Sequence, residues 1–253
     1  DAGGFVAVWN AASGRRLRTL RGHAVGVHVF AVRVLPDGER VVSLAGDCSA
    51  IVWDLRSGSV LRRIVQRRCD RAGEAHRTLR VFADGDQIVT GITRHFDGKS
   101  VAVANATSGE ALHRFAQSQG GVRFLDASRD GRRLLTASEA YVYIWPLDAR
   151  GGAARRFSHV YFGHVHGAVF AEDSSRFVTV SRSPDALVAW DVRGGFSSLA
   201  RSWSRLHAIA PIPGSGRFAV ISQGPGLVAP TLLGHRVHVL ALAGAREVWR
   251  VAA

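Results

Sequence analysis

The sequence predicts an all-β chain built by repeating one four-stranded unit, and three observations carry that expectation. Apolar runs are short and alternating, turn residues separate them at close intervals, and one tryptophan-ended phrase recurs at near-constant spacing. Helical apolar spacing is nowhere sustained over a dozen residues, which leaves strands as the regular element.

The phrase is an alternating apolar run, a tryptophan or substitute, a polar residue and then a small-residue turn. It reads Phe5-Val6-Ala7-Val8-Trp9-Asn10 before Ser13-Gly14, and Ala50-Ile51-Val52-Trp53-Asp54 before Ser57-Gly58. Val101-Ala102-Val103-Ala104-Asn105 before Ser108-Gly109 has alanine in the tryptophan slot. Tyr141-Val142-Tyr143-Ile144-Trp145 precedes Gly151-Gly152, and Leu187-Val188-Ala189-Trp190-Asp191 precedes Gly194-Gly195. A degenerate copy, Val237-His238-Val239-Leu240, precedes Gly244. The turn glycines at 14, 58, 109, 152, 195 and 244 are 44, 51, 43, 43 and 49 residues apart, close to the period of a β-propeller blade.

A hairpin signal runs in phase with the phrase: Pro36-Asp37-Gly38, Asp84-Gly85, Asp130-Gly131, Asp173-Ser174-Ser175 and Pro213-Gly214-Ser215-Gly216. Glycine and aspartate suit such turns because they tolerate positive φ or bond their own backbone. Each interval therefore holds four strands, placed in one of them near 27–35, 40–45, 50–54 and 59–65. By this count the chain opens on the third strand of a unit, continues through five complete units and ends with Arg246-Glu247-Val248-Trp249-Arg250-Val251.

With 253 residues, 47% hydrophobic and 21% charged, the chain is long and apolar enough to bury a sizeable core. No run approaches a membrane span, and Asp1-Ala2-Gly3-Gly4-Phe5 lacks the features of a signal peptide. The expectation is a soluble intracellular protein without membrane insertion. Cys48 and Cys69 are too few for a disulfide framework or a cysteine metal site and point to a reducing compartment, with Cys69 a plain loop thiol. Methionine is absent even at position 1, which implies a piece of something longer.

Gly22-His23 followed by Trp53-Asp54 resembles a WD repeat, whose units typically open with Gly-His and close with Trp-Asp. The resemblance implies a WD40-like β-propeller of about five complete four-stranded blades plus an N-terminal partial blade, within a larger seven-bladed ring completed by upstream sequence. As one domain over 1–253, its blades would run 1–21 (partial), 22–66, 67–117, 118–158, 159–203 and 204–253. It further implies a buried hydrogen-bonded tetrad of His23, Ser43, Asp47 and Trp53, with Trp9, Trp145 and Trp190 as blade-closing tryptophans. A buried imidazole and carboxylate are stable only when each finds a partner. Trp190-Asp191 repeats the ending, and either His159 or His164 could serve as its histidine.

The net charge of +13 comes almost wholly from arginine, since Lys99 is the only lysine. Such charge attracts nucleic acid, anionic lipid or acidic protein. Arginines follow the tryptophan-ended strands: Arg15, Arg16, Arg18 and Arg21; Arg62, Arg63, Arg67, Arg68 and Arg71; Arg155 and Arg156; Arg201 and Arg205. In a WD blade the following strand is outermost, which makes Arg62, Arg63, Arg67, Arg68, Arg71, Arg155 and Arg156 candidate contacts to a polyanion or protein partner. The equally direct reading is a solvated rim guarding strand edges.

Residues 67–77 form the longest polar insertion and Gly224-Pro225-Gly226 a second, less charged one. His164-Val165-His166 has metal-compatible spacing but no acid or cysteine nearby to complete a ligand set. No catalytic motif, cofactor motif or metal motif is present. The functional expectation is a non-catalytic scaffold binding protein partners in a larger polypeptide or assembly. The alternatives are an RNA-contacting ribonucleoprotein component and a sensor attached to an ATPase or kinase domain.

Overall fold

A computed structural model describes residues 3–65, 76–82, 84–92, 101–115, 122–138, 140–147, 153–159, 164–182, 186–201, 205–212, 214–223, 235–241 and 247–252. The described elements are all strands, in five four-stranded antiparallel sheets and one two-stranded sheet. They divide between two compact units, Asp1–Arg123 and Phe124–Ala253.

In the first unit, β1 (Phe5–Trp9) pairs β2 (Arg16–Arg21). The next sheet is β3 (Val29–Val34), β4 (Arg40–Ala45), β5 (Ser49–Asp54) and β6 (Val60–Val65). The third is β7 (His76–Val81), β8 (Gln87–Ile92), β9 (Val101–Asn105) and β10 (Ala111–Phe115). The second unit holds β11 (Phe124–Ala127), β12 (Arg133–Ala137), β13 (Tyr141–Pro146) and β14 (Arg155–Ser158). It continues with β15 (His164–Phe170), β16 (Arg176–Arg182), β17 (Ala186–Asp191) and β18 (Phe196–Arg201). Its last sheet is β19 (Arg205–Ile212), β20 (Arg217–Gln223), β21 (His235–Ala241) and β22 (Glu247–Ala252). Within every four-stranded sheet each strand pairs with its neighbour in sequence, the pattern that short turns impose.

Successive sheets meet through their first strands: β3 packs on β7, β11 on β15, and β15 on β19. The period-two alternation of a strand shows what each face does. On one face of the second sheet Val42, Leu44, Ala50 and Val52 pack with Leu79, Ile88 and Ala104 of the third. On the other face Val41, Ile51 and Trp53 pack with Val6 and Leu20 of the first. The middle strands β4 and β5 are thus buried on both faces, which is why their sequences are almost continuously apolar. In the second unit Trp190 packs with both Phe157 and Phe177, its ring stacked 5.9 Å from that of Phe177.

The hairpin signals close the first-to-second strand turns. Asp37 Oδ1 accepts the Glu39 and Arg40 amides at 2.9 and 3.0 Å, and its other oxygen takes the Arg40 Nε–H at 2.5 Å. Asp173 repeats the arrangement with Ser175 and Arg176. The Arg40 side-chain bond holds the Asp37 carboxyl below its usual pKa, so the turn stays ionised and closed at neutral pH.

Candidate functional site

His23, Ser43, Asp47 and Trp53 come together as one hydrogen-bonded chain. Trp53 Nε1–H donates to Ser43 Oγ at 2.8 Å, and Ser43 Oγ meets His23 Nε2 at 2.7 Å. His23 Nδ1 lies 3.1 Å from both Asp47 carboxylate oxygens. Ser43 and Trp53 are fully buried and His23 nearly so. A carboxylate can only accept, so the imidazole proton belongs on Nδ1 and the Ser43 hydroxyl donates to Nε2. Burial is the largest influence on His23 and lowers its pKa against the opposing pull of Asp47, favouring this neutral tautomer. Asp47 also accepts the Ala24 amide at 2.9 Å and the Ser49 hydroxyl at 2.8 Å. Burial, the largest influence on its carboxyl, acts upward; those bonds and His23 outweigh it and leave the pKa below its ordinary value.

Strand geometry explains the arrangement. Val41 stands opposite Trp53 and Ser43 opposite Ile51, so Ser43 and the indole lie on the same sheet face two positions apart. Gly22 is required by contact: a Cβ there would stand 2.7 Å from the Trp53 ring. Arg63 joins from β6, with Nη1 3.2 Å from Ser49 Oγ and 3.7 Å from Asp47, and with Nη2 donating to the Gly22 carbonyl. Arg63 is thus an exposed residue of the outer strand that also reaches the cluster, and Ser49 joins the four residues expected from the sequence.

A second cluster forms on β16 and β17. His159 Nε2 meets Thr179 Oγ1 at 2.7 Å, and Trp190 Nε1–H donates to the same oxygen at 2.9 Å. His159 is fully buried, whereas His164 is exposed at the start of β15. Of the two histidines left open by the sequence, His159 is the one brought to Trp190. His166 falls at a register irregularity between Val165 and Gly167, which breaks the alternation assumed for a His164/His166 pair. Trp145 Nε1–H donates to Thr136 Oγ1 at 2.9 Å in a third copy. The signal for these hydroxyls is their spacing: Ser43, Thr136 and Thr179 precede their tryptophans by 10, 9 and 11 residues.

Three sheets depart from the pattern: in the last, Val220 and Leu240 take the hydroxyl and tryptophan positions. In the third, Thr90 holds the hydroxyl position, Ala104 fills the tryptophan slot, and the buried Thr90 Oγ1 has no hydrogen-bond partner among the described residues. In the first, Trp9 is 58% exposed. Its sheet contains only β1 and β2 among the described residues, so no second strand brings a hydroxyl to the indole. A cavity of about 330 Å³ lies between β1 and β3, lined by Phe5, Val6, Ala7 and residues 29–32.

The rim arginines divide by their contacts. Arg62 Nε donates to the Thr107 carbonyl of the next sheet at 3.2 Å and its stem lies on Gly109. Arg18 makes the equivalent approach to Ser57 and Gly58, and Arg155 lies against Gly194. Arg156 stands over the Tyr141 ring at 5.1 Å. Arg205 opens β19, a first strand, and so belongs to no outer strand. Arg67, Arg68, Arg71, Cys69 and the Gly224-Pro225-Gly226 insertion lie outside the described residues. Cys48, at the β4–β5 turn, is disulfide-bonded, which corrects the expectation of a chain with thiols only and removes its argument for a reducing compartment. No helix of the described residues is long and apolar enough to cross a membrane.

Repeated four-stranded sheets, three of them pinned by an indole on a second-strand hydroxyl, resemble the blades of WD-repeat proteins. The family model "WD domain, G-beta repeat" matches residues 14–54, which span the tetrad from upstream of His23 through Trp53. Among curated proteins, apoptotic protease-activating factor 1 of Rattus norvegicus is 26% identical over 170 residues, covering 64% of this chain and 13% of that protein. The WD repeat domain-containing protein 83 homolog of Dictyostelium discoideum is 30% identical over 96 residues, 38% of this chain and 29% of that protein. The chain thus spans less than a third of either relative.

Proposed function

We propose that this chain is a non-catalytic scaffold that binds protein partners as part of a larger polypeptide or assembly. One observation carries the reading: polar groups that could do chemistry instead bind the framework together. The tetrad residues His23, Ser43, Asp47 and Trp53 act as a structural latch, with Trp145 and Trp190 closing their own sheets. Arg40 reaches from one sheet to Thr107 of the next at 2.9 Å, and Arg133 to the Ser174 carbonyl at 2.9 Å. Glu172 accepts the Gly214 amide at 2.5 Å and pairs with Arg129 at 3.0 Å. A framework cross-linked in this way presents its turns with little ordering cost on binding. The small share of each relative that the chain covers fits a part within a longer protein.

The exposed arginines of β2, β6, β10 and β14 favour a second reading, contact with RNA or another polyanion. The two are separated by salt. Binding to RNA weakens with a log-log slope of about −0.7 per phosphate contacted, and Arg62→Gln with Arg156→Gln lowers that slope. The scaffold reading expects peptide or protein ligands whose affinity falls with salt much less steeply than that of RNA. Binding confined to poly(U), with the steep slope, overturns it.

A further inference from the structure

We infer that the outer strands of the first unit form a docking ladder for an acidic, amphipathic peptide segment. This rests on the scaffold reading and names the chemistry of the partner. The last strand of each sheet there carries a bulge at the same register position. Trp9 pairs Arg16 while Val8 pairs Arg18, leaving Leu17 as the extra residue. Trp53 pairs Val60 while Val52 pairs Arg62, leaving Leu61. Ala104 pairs Ala111 while Val103 pairs His113, leaving Leu112. The bulge residue is leucine all three times, and the three are 59, 47 and 38% exposed. At the corresponding bulges of β18 and β22 the sequence has Ser197 and Val248, so the bulge itself does not demand leucine.

A bulge on an outer strand already discourages edge pairing, and any polar side chain serves that purpose. Exposed leucine adds nothing to it, and one alone would need no explanation. Three at one register position, each beside a basic side chain, form a pattern. Arg16 and Arg18 flank Leu17, Arg62 and Arg63 follow Leu61, and His113 and Arg114 follow Leu112. The arginine stems also bridge the sheets, Arg18 onto Gly58 and Arg62 onto Gly109, so apolar and cationic surface alternate from one strand to the next. RNA would use the guanidinium groups and leave the leucines wet. A segment alternating carboxylates with apolar side chains satisfies both by charge complementarity and burial.

The test is selection of random 16-residue peptides displayed on phage against the full chain. Affinities of the selected peptides follow for the parent chain, for L17Q/L61Q/L112Q and for R18Q/R62Q, with poly(U) measured in parallel. Melting curves of the variants matching the parent establish that they fold. The ladder predicts enrichment of peptides mixing acidic and apolar residues, and a loss of about five- to tenfold for each leucine removed. R18Q/R62Q weakens the same peptides most at low salt. Peptides that bind the leucine variant as tightly as the parent overturn the ladder and leave the scaffold reading standing. Retention of poly(U) with no peptide selected overturns both.

Discussion

Replacing Ser43 by alanine removes the one atom that joins Trp53 to His23. The hydroxyl is fully buried and lies 2.8 and 2.7 Å from its two partners. Without it the indole N–H and the imidazole Nε2 are both stranded in an apolar interior. Each stranded group costs about 1–3 kcal/mol, so Ser43→Ala is expected to destabilise by about 2–6 kcal/mol. Thr90 supplies the internal control. It occupies the same place in the next sheet, but its buried hydroxyl has no partner among the described residues. Thr90→Val keeps the shape, removes an unsatisfied group, and is expected to be neutral or to stabilise by about 1 kcal/mol. Urea unfolding followed by tryptophan fluorescence compares the midpoints, provided the slopes agree. A Ser43→Ala loss below about 1 kcal/mol, or an equal loss in Thr90→Val, refutes the premise that hydroxyl bonding rather than methyl packing secures the tryptophan.

Three further outcomes follow from the same geometry. Burial lowers the His23 pKa from 6.5, so the unfolded chain binds its proton first. Its contribution is complete well above pH 6.5 and is lost as pH falls below that value toward the folded pKa; the parent's stability minus that of His23→Gln should shrink over that range, and a constant difference contradicts the neutral imidazole. Gly22→Ala drives a methyl group into the Trp53 ring and is expected to cost about 1–3 kcal/mol, seen as a lower melting temperature and blue-shifted or broadened tryptophan emission. His159→Ala should lower the melting temperature by several degrees, whereas His164→Ala, at an exposed position, should leave it unchanged; the reverse result would assign the second cluster to the wrong histidine.

Much of the architecture is legible in the chain because a strand's side chains alternate with period two and each turn needs particular residues. The strands placed near 27–35, 40–45, 50–54 and 59–65 are found at Val29–Val34, Arg40–Ala45, Ser49–Asp54 and Val60–Val65. Their turns are closed by the aspartates, such as Asp37 and Asp54, that mark them in the sequence. These are local effects acting over a few residues, so sequence reveals them. The meeting of His23 with Ser43 was also readable, but only through resemblance to a known repeat, since no local rule relates residues 20 apart.

What tertiary structure alone decided concerns which side chain reaches which neighbour. In the sequence His164 has the preceding glycine and His159 the spacing to Asp173; packing buries His159 on Thr179 and leaves His164 in water. Arg62 and Arg63 are adjacent in sequence, yet alternation sends one to Thr107 of the following sheet and the other to Asp47 and Gly22 on the opposite face. The leucines at 17, 61 and 112 read as ordinary strand residues until pairing shows each to be the unpaired residue of a bulge. Period and turn chemistry are written in neighbouring residues, whereas register, burial and contact between sheets arise from chain segments tens of residues apart, and only folding brings those together.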